Sequence, residues 1–117
     1  MRHFKRIKKL GLPKDHRESL LKNLIASLVI HGKLRTTDSR AKALAARFGR
    51  LMSLVQRKEK REAIRLMPNY CNIQVASKKI VNELKEKYKD RKSGYTRSTR
   101  VGMRKGDNTP ITQIELI

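Results

Sequence analysis

The chain has 117 residues, 30 of them Lys or Arg and only 10 Asp or Glu, a formal net charge of +20. So much like charge on a small particle opposes folding unless a dense polyanion relieves it, which makes nucleic acid the expected partner. A single Cys, no apolar run near 18 residues and no Cys/His cluster of metal-ligand spacing argue against an internal disulfide, a membrane-spanning helix and a zinc site.

Residues 1–12 read as a basic arm. Arg2, Lys5, Arg6, Lys8 and Lys9 occur without an acid, and Gly11 and Pro13 close the segment. Such a segment orders on a polyanion. It lacks the apolar stretch of a secretory signal and is too short for a long organellar transit peptide. A reducing compartment, the one where the chain is made, is therefore expected. One globular domain is expected over 13–117.

That domain opens with a helix. Asp15 and Glu18 have capping-box spacing, and Leu20, Leu21, Leu24, Ile25, Leu28 and Val29 form one apolar stripe. His31-Gly32 is the stop signal. Arg17, Lys22 and Asn23 lie off the stripe. Lys33-Leu34-Arg35-Thr36-Thr37 reads as a short strand or extended link. Thr37 or Asp38 then caps a second helix, with Ala41, Leu44, Ala45, Phe48, Leu51, Met52 and Val55 inward. Arg40, Lys42, Arg47 and Arg50 mark its outer face.

Arg57–Arg61 is a charged link or helix start, and Ala63, Ile64 and Met67 suggest a short helix that ends at Pro68-Asn69. A longer helix is expected from about Asn72 to Lys89, with Ile73, Ala76, Ile80, Val81, Leu84 and Tyr88 inward. Cys71 reads as a small apolar filler. From about residue 94 to 117 the pattern is a β-hairpin, turning through Arg104–Pro110. Arg91, Lys92, Arg97, Arg100, Arg104 and Lys105 line it with no acid before Asp107. That is more charge than edge protection needs, so a second RNA contact is expected there. Asp107 and Asn108 are read as bonding the turn backbone. If the short strand joins the hairpin, the fold is α+β, with helices covering one face of a three-stranded sheet.

No spacing suggests a nucleophile with a base, a phosphate-cradling Gly-rich loop or a paired carboxylate site. His3, His16 and His31 are scattered. The expectation is a binding protein without catalytic residues, cofactor, metal, membrane partner or small-molecule substrate. Aromatics are only 4% and Trp is absent, which favours recognition of RNA shape and phosphates over stacking of splayed bases. The competing reading is a nucleoid-type or regulatory DNA-binding protein that uses the second helix, with Arg40, Arg47 and Arg50, in a major groove. That segment lacks helix-turn-helix spacing, and the charge is spread over every segment.

The chain resembles a known family, the bacterial-type ribosomal protein number seventeen of the large subunit. The resemblance starts at Met1-Arg2-His3 and runs through His16-Arg17, Lys22-Asn23-Leu24, Leu28 with His31, and Thr36-Thr37 with Ala41-Lys42. It is most specific at Gly94-Tyr95-Thr96-Arg97, Arg104, Gly106-Asp107-Asn108, Pro110 and Ile114-Glu115-Leu116. Phe4, Ser93 and Thr109 depart from the usual pattern. The resemblance implies a mixed α/β fold with a small three-stranded mixed sheet and a structural, non-enzymatic role. It further implies binding to large-subunit ribosomal RNA near the nascent-peptide tunnel exit, beside other ribosomal proteins, in a bacterial cytoplasmic or an organellar ribosome. The expected RNA contacts are Arg2, His3, Lys5, Arg6, Lys8 and Lys9 of the arm, and His16, Arg17, Lys22, Asn23 and His31 of the first helix. Arg97, Arg100, Arg104 and Lys105 of the hairpin complete the set. Arm and hairpin would together clamp separate RNA segments, mostly through phosphates.

Overall fold

The computed structural model describes residues 3–4 and 9–117; Arg2, Lys5, Arg6 and Lys8 of the expected arm lie outside the described residues. The first helix, α1 (Lys14–His31), begins directly after Pro13. The expected capping box does not form, because no side chain bonds the first-turn amides. The helix starts one residue before Asp15, which therefore sits inside the first turn, where its charge still favours the helix dipole. The stop is as expected. Gly32 takes φ 79° and its N–H bonds the Leu28 carbonyl at 2.8 Å.

Gly32 leads straight into β1 (Lys33–Thr37). The hairpin strands are β2 (Thr96–Met103) and β3 (Pro110–Leu116). The sheet order is β1-β3-β2 and both pairings are antiparallel. The three strands are those expected, but the sheet is not mixed in strand direction. A short turn joins β2 to β3 and forces them antiparallel, and β1 docks on the free edge of β3 in the same sense as β2. The register sets Leu34 opposite Ile114 and Thr36 opposite Thr112, so one face of the sheet turns to the helices. Ile114 and Thr112 are buried.

The second helix, α2 (Asp38–Arg57), is the core element: Leu44, Phe48, Leu51 and Met52 are 0% exposed. Its first residue is tied to the sheet. Asp38 accepts the Thr112 hydroxyl at 3.1 Å and pairs with Lys42 at 3.0 Å. The Lys42 ammonium, aided by Thr112 and the nearby Arg100, holds the Asp38 carboxyl below its ordinary range.

Then α3 (Lys60–Leu66) runs into a 3-10 turn (Met67–Asn69). So short a helix has one inward line, Ala63 and Met67 at i and i+4, and Ile64 faces solvent. Residues 74–87 form a continuous helical run: α4 (Gln74–Lys79), a π-helical turn (Ile80–Leu84) and α5 (Lys85–Lys87). It is shorter than expected. Ile73 precedes it in an extended conformation and is exposed, not inward. The inward residues Ala76, Ile80, Leu84 and Tyr88 recur every fourth position, which on a regular α-helix drifts about 40° per step. The wider π turn removes part of that drift and keeps all four in the core. Tyr88 and Tyr95 close the core edge-to-face at 5.3 Å. Burial raises the Tyr88 phenol, which donates to the Ile117 carbonyl at 2.9 Å and anchors the last residue.

Candidate nucleic-acid interface

The sheet face turned away from the helices is basic. Strand pairing sets Lys33, Glu115 and Arg97 in one row across the three strands, and Arg35, Gln113 and Thr99 in another. Arg35 Nε donates to Gln113 Oε1 at 3.2 Å, and Arg97 Nη1 lies 3.9 Å from Glu115 Oε1. One carboxylate thus stands among three cations, and Lys33, Arg35 and Arg97 are all exposed. Arg97 was expected from the sequence. Lys33 and Arg35 were missed, although the period-two alternation of β1 puts both on the face opposite Leu34 and Thr36.

Arg100 pairs with Thr112 on the other face of β2 and is exposed at the β-bulge between Arg100 and Gly102. Beyond the bulge, Arg104 and Lys105 form the exposed turn. Arg104 is not a free cation. It grips Asp107 with two bonds, Nη2 to Oδ2 at 2.6 Å and Nε to Oδ1 at 3.2 Å. Asp107 Oδ1 also accepts the Thr109 amide at 3.2 Å, the turn-bonding role expected for it. Arg104 first, then the Thr109 bonds, hold the Asp107 carboxyl far below the ordinary carboxylate range. Gly106 at φ 101° and Asn108 at φ 56° supply the left-handed backbone that the turn requires.

The expected α1 contacts other than His31 lie within the first ten residues of that helix. His16 and Asn23 are exposed, while Arg17 and Lys22 are half-buried. Arg17 Nη1 reaches the Leu12 carbonyl at 3.4 Å and holds the preceding turn against the helix. His31 does not join this group. α1 is 18 residues long, about 27 Å at 1.5 Å per residue, so exposed His31 sits at the far end, two residues before Lys33. His3 and Lys9 are exposed; Arg2, Lys5, Arg6 and Lys8 fall outside the described residues.

α2 is a poor recognition helix. Its apolar stripe is fully engaged in the core, and Arg47 is not on an open outer face. Arg47 packs over the Tyr70 ring at 5.1 Å and donates from Nη2 to the Asn69 carbonyl at 3.0 Å. Arg40 and Arg50 remain exposed, and Lys42 is taken by Asp38. Among the described residues no group of three or more His, Cys, Asp or Glu could hold a metal ion, and no helix is long and apolar enough to cross a membrane.

A family model described as "Ribosomal protein L17" matches residues 20–117, which include the basic sheet face and the whole hairpin. Curated relatives described as "Large ribosomal subunit protein bL17" align over nearly the full chain. The one from Sulfurimonas denitrificans is 41% identical over 117 residues, covering 100% of both chains. That from Syntrophus aciditrophicus is 37% identical over 120 residues, covering 100% of this chain and 93% of its own. That from Desulforudis audaxviator is 36% identical over 110 residues, covering 94% and 97%. With matched residues that carry both the α+β core and its cationic surface, the chain belongs to the Ribosomal protein L17 family.

Proposed function

We propose that this protein is a structural, non-enzymatic constituent of the large ribosomal subunit and binds large-subunit ribosomal RNA. The observation that carries the reading is the surface layout in a chain of this family. Lys33, Arg35 and Arg97 stand in register on an open sheet face, Lys105 stands at the hairpin tip, and His16 and Asn23 stand within the first ten residues of α1. A basic sheet face and hairpin tip, with polar groups of α1 set apart from them, suit phosphates from separate RNA helices. Residues 1–12 act as a basic arm on a globular unit of residues 13–117, and arm and hairpin hold those helices together. The site comprises the arm cations, His16, Arg17, Lys22, Asn23 and His31, the hairpin Arg97, Arg100, Arg104 and Lys105, and, added by the register, Lys33 and Arg35. Neighbouring ribosomal proteins and the nascent-peptide tunnel exit complete the setting that the family resemblance implies, in the cytoplasmic ribosome.

The test is sedimentation of tagged protein from a lysate through a sucrose gradient after a high-salt wash. Stoichiometric recovery in large-subunit and whole-ribosome fractions is the expected result. Recovery on DNA instead would sink it.

A further inference from the structure

Between α2 and the segment entering β2 lies an open cavity of about 490 Å³, within the range of small-ligand sites. Its floor is unusual. Ala45, Gly49 and Ser53 follow one another at i, i+4 and i+8 along α2, so this line of the helix carries no side chain longer than a hydroxymethyl. Past these three residues Arg57 follows at i+12 on the same line, Arg50 lies beside it on α2, and Lys92 lines the cavity from the segment entering β2. All three cations are exposed, and none is in a salt bridge with the acids of the described residues. The Tyr70 ring, half-buried and braced by the Arg47 guanidinium, also lines the cavity. In a chain with five aromatic residues, an aromatic wall and three unpaired cations meet around a space that backbone and small side chains leave empty.

We propose that this cavity receives one unstacked nucleotide of the bound RNA. The base lies on the small-residue floor against Tyr70, and its phosphate meets Arg50, Arg57 and Lys92. The inference rests on the RNA-binding reading above and deepens it, because it adds base capture to phosphate contacts. An aromatic wall beside a cation cluster is the general pattern of single-strand recognition. An acidic protein segment would use the cations but has no comparable use for the Tyr70 ring beside them.

Gly49 provides a selective test. A Cβ added there meets nothing within 4 Å, and its φ is not in the left-handed region, so a longer side chain grows into the cavity without disturbing the core. Leu also favours the helix over Gly. The full-length Gly49→Leu variant is therefore expected to melt no lower than the wild type and still to sediment with large subunits. Acylation of ribosomal RNA 2′-hydroxyls should then reveal a nucleotide shielded by the wild type and reactive with Gly49→Leu. Affinity for the isolated ribosomal RNA should fall roughly ten-fold. An unchanged reactivity pattern and affinity, with the wild type still on large subunits, overturns the cavity assignment alone. Failure of the wild type to sediment with large subunits overturns the RNA-binding reading and this proposal with it. A photo-crosslinker at Ser93, on the rim, should yield an RNA adduct in purified subunits; a protein adduct alone overturns the nucleotide assignment.

Discussion

Arg104 and Asp107 form the shortest ion pair among the described residues, on a turn that also uses Asp107 to fix the Thr109 amide. The acid therefore shapes the turn and neutralises a cation meant for RNA. Asp107→Asn keeps an acceptor for Thr109 and removes the charge. It should release Arg104 and make the salt dependence of RNA binding steeper by about 0.7–0.9 units. Asp107→Ala loses the turn bond as well and should weaken binding. The folded Asp107 carboxyl lies below its unfolded value, so the unfolded chain takes up the proton first. Its stabilisation is fully present above the unfolded value of about 3.9 and is lost as pH falls through the lower folded value. The Thr109 amide resonance should hold steady from pH 7 to about 4 and move only below that; movement at pH 5 would contradict the assignment. Arg97→Ala should weaken binding modestly and make the same salt slope shallower by about one unit. An unchanged slope removes Arg97 from the interface. Arg97 was legible because it stands in a run of cations without acids. Lys33 and Arg35 were not, because their place beside Arg97 depends on pairing with Glu115 and Gln113 at the other end of the chain. Arg47 was misread because a helical wheel of α2 carries no information about Tyr70 or the Asn69 carbonyl.

At the scale of elements, two glycines in similar open space should respond oppositely to one substitution. Neither Gly32 nor Gly49 has an atom within 4 Å of an added Cβ, so packing does not decide the outcome. Gly32 ends α1 at φ 79°, and its carbonyl accepts the Leu116 amide at 2.9 Å, which docks the end of β3 on the helix terminus. Gly32→Ala puts a Cβ into left-handed backbone and should cost about 1 kcal/mol, lowering Tm by about 4 °C. Gly49 lies inside α2 with ordinary helical backbone, so Gly49→Ala should stabilise by about 0.8–1 kcal/mol and raise Tm by a similar few degrees. Thermal unfolding of the two variants beside the wild type checks both, and equal signs would refute the backbone argument. The same logic explains which elements were legible. The Leu and Ile stripes, the Gly32 stop and the hairpin turn are set by residues within one element, and all are observed. The capping box, Ile64, Ile73 and the π turn were not legible. Each depends on where a helix starts or on how neighbouring elements hold the same core side chains.

For the whole molecule, charge sets opposite responses of folding and binding to salt. Of 30 basic side chains, only Lys42, Arg97 and Arg104 meet an acid within 4.0 Å among the described residues. The molecule measures 45 × 32 × 25 Å. At 0.01 M salt the screening length is about 30 Å, so almost every cation repels every other; at 0.15 M it is about 8 Å and repulsion is confined to near neighbours. The isolated protein should therefore gain stability with salt, its Tm rising by several degrees between about 0.01 and 0.3 M sodium chloride. A flat or falling Tm would mean that self-repulsion is not a significant cost of this fold. RNA binding must move the other way. If ~8 phosphates are neutralised, log K should fall against log salt with a slope of about −6 to −7. One variant joins the two measurements. Arg97→Ala removes a charge from the crowded sheet face, so it should raise the low-salt Tm slightly while flattening the binding slope. If it flattened the slope and lowered the low-salt Tm, Arg97 would be held by Glu115 as a structural pair, and the loss of that pair would outweigh the relief of repulsion.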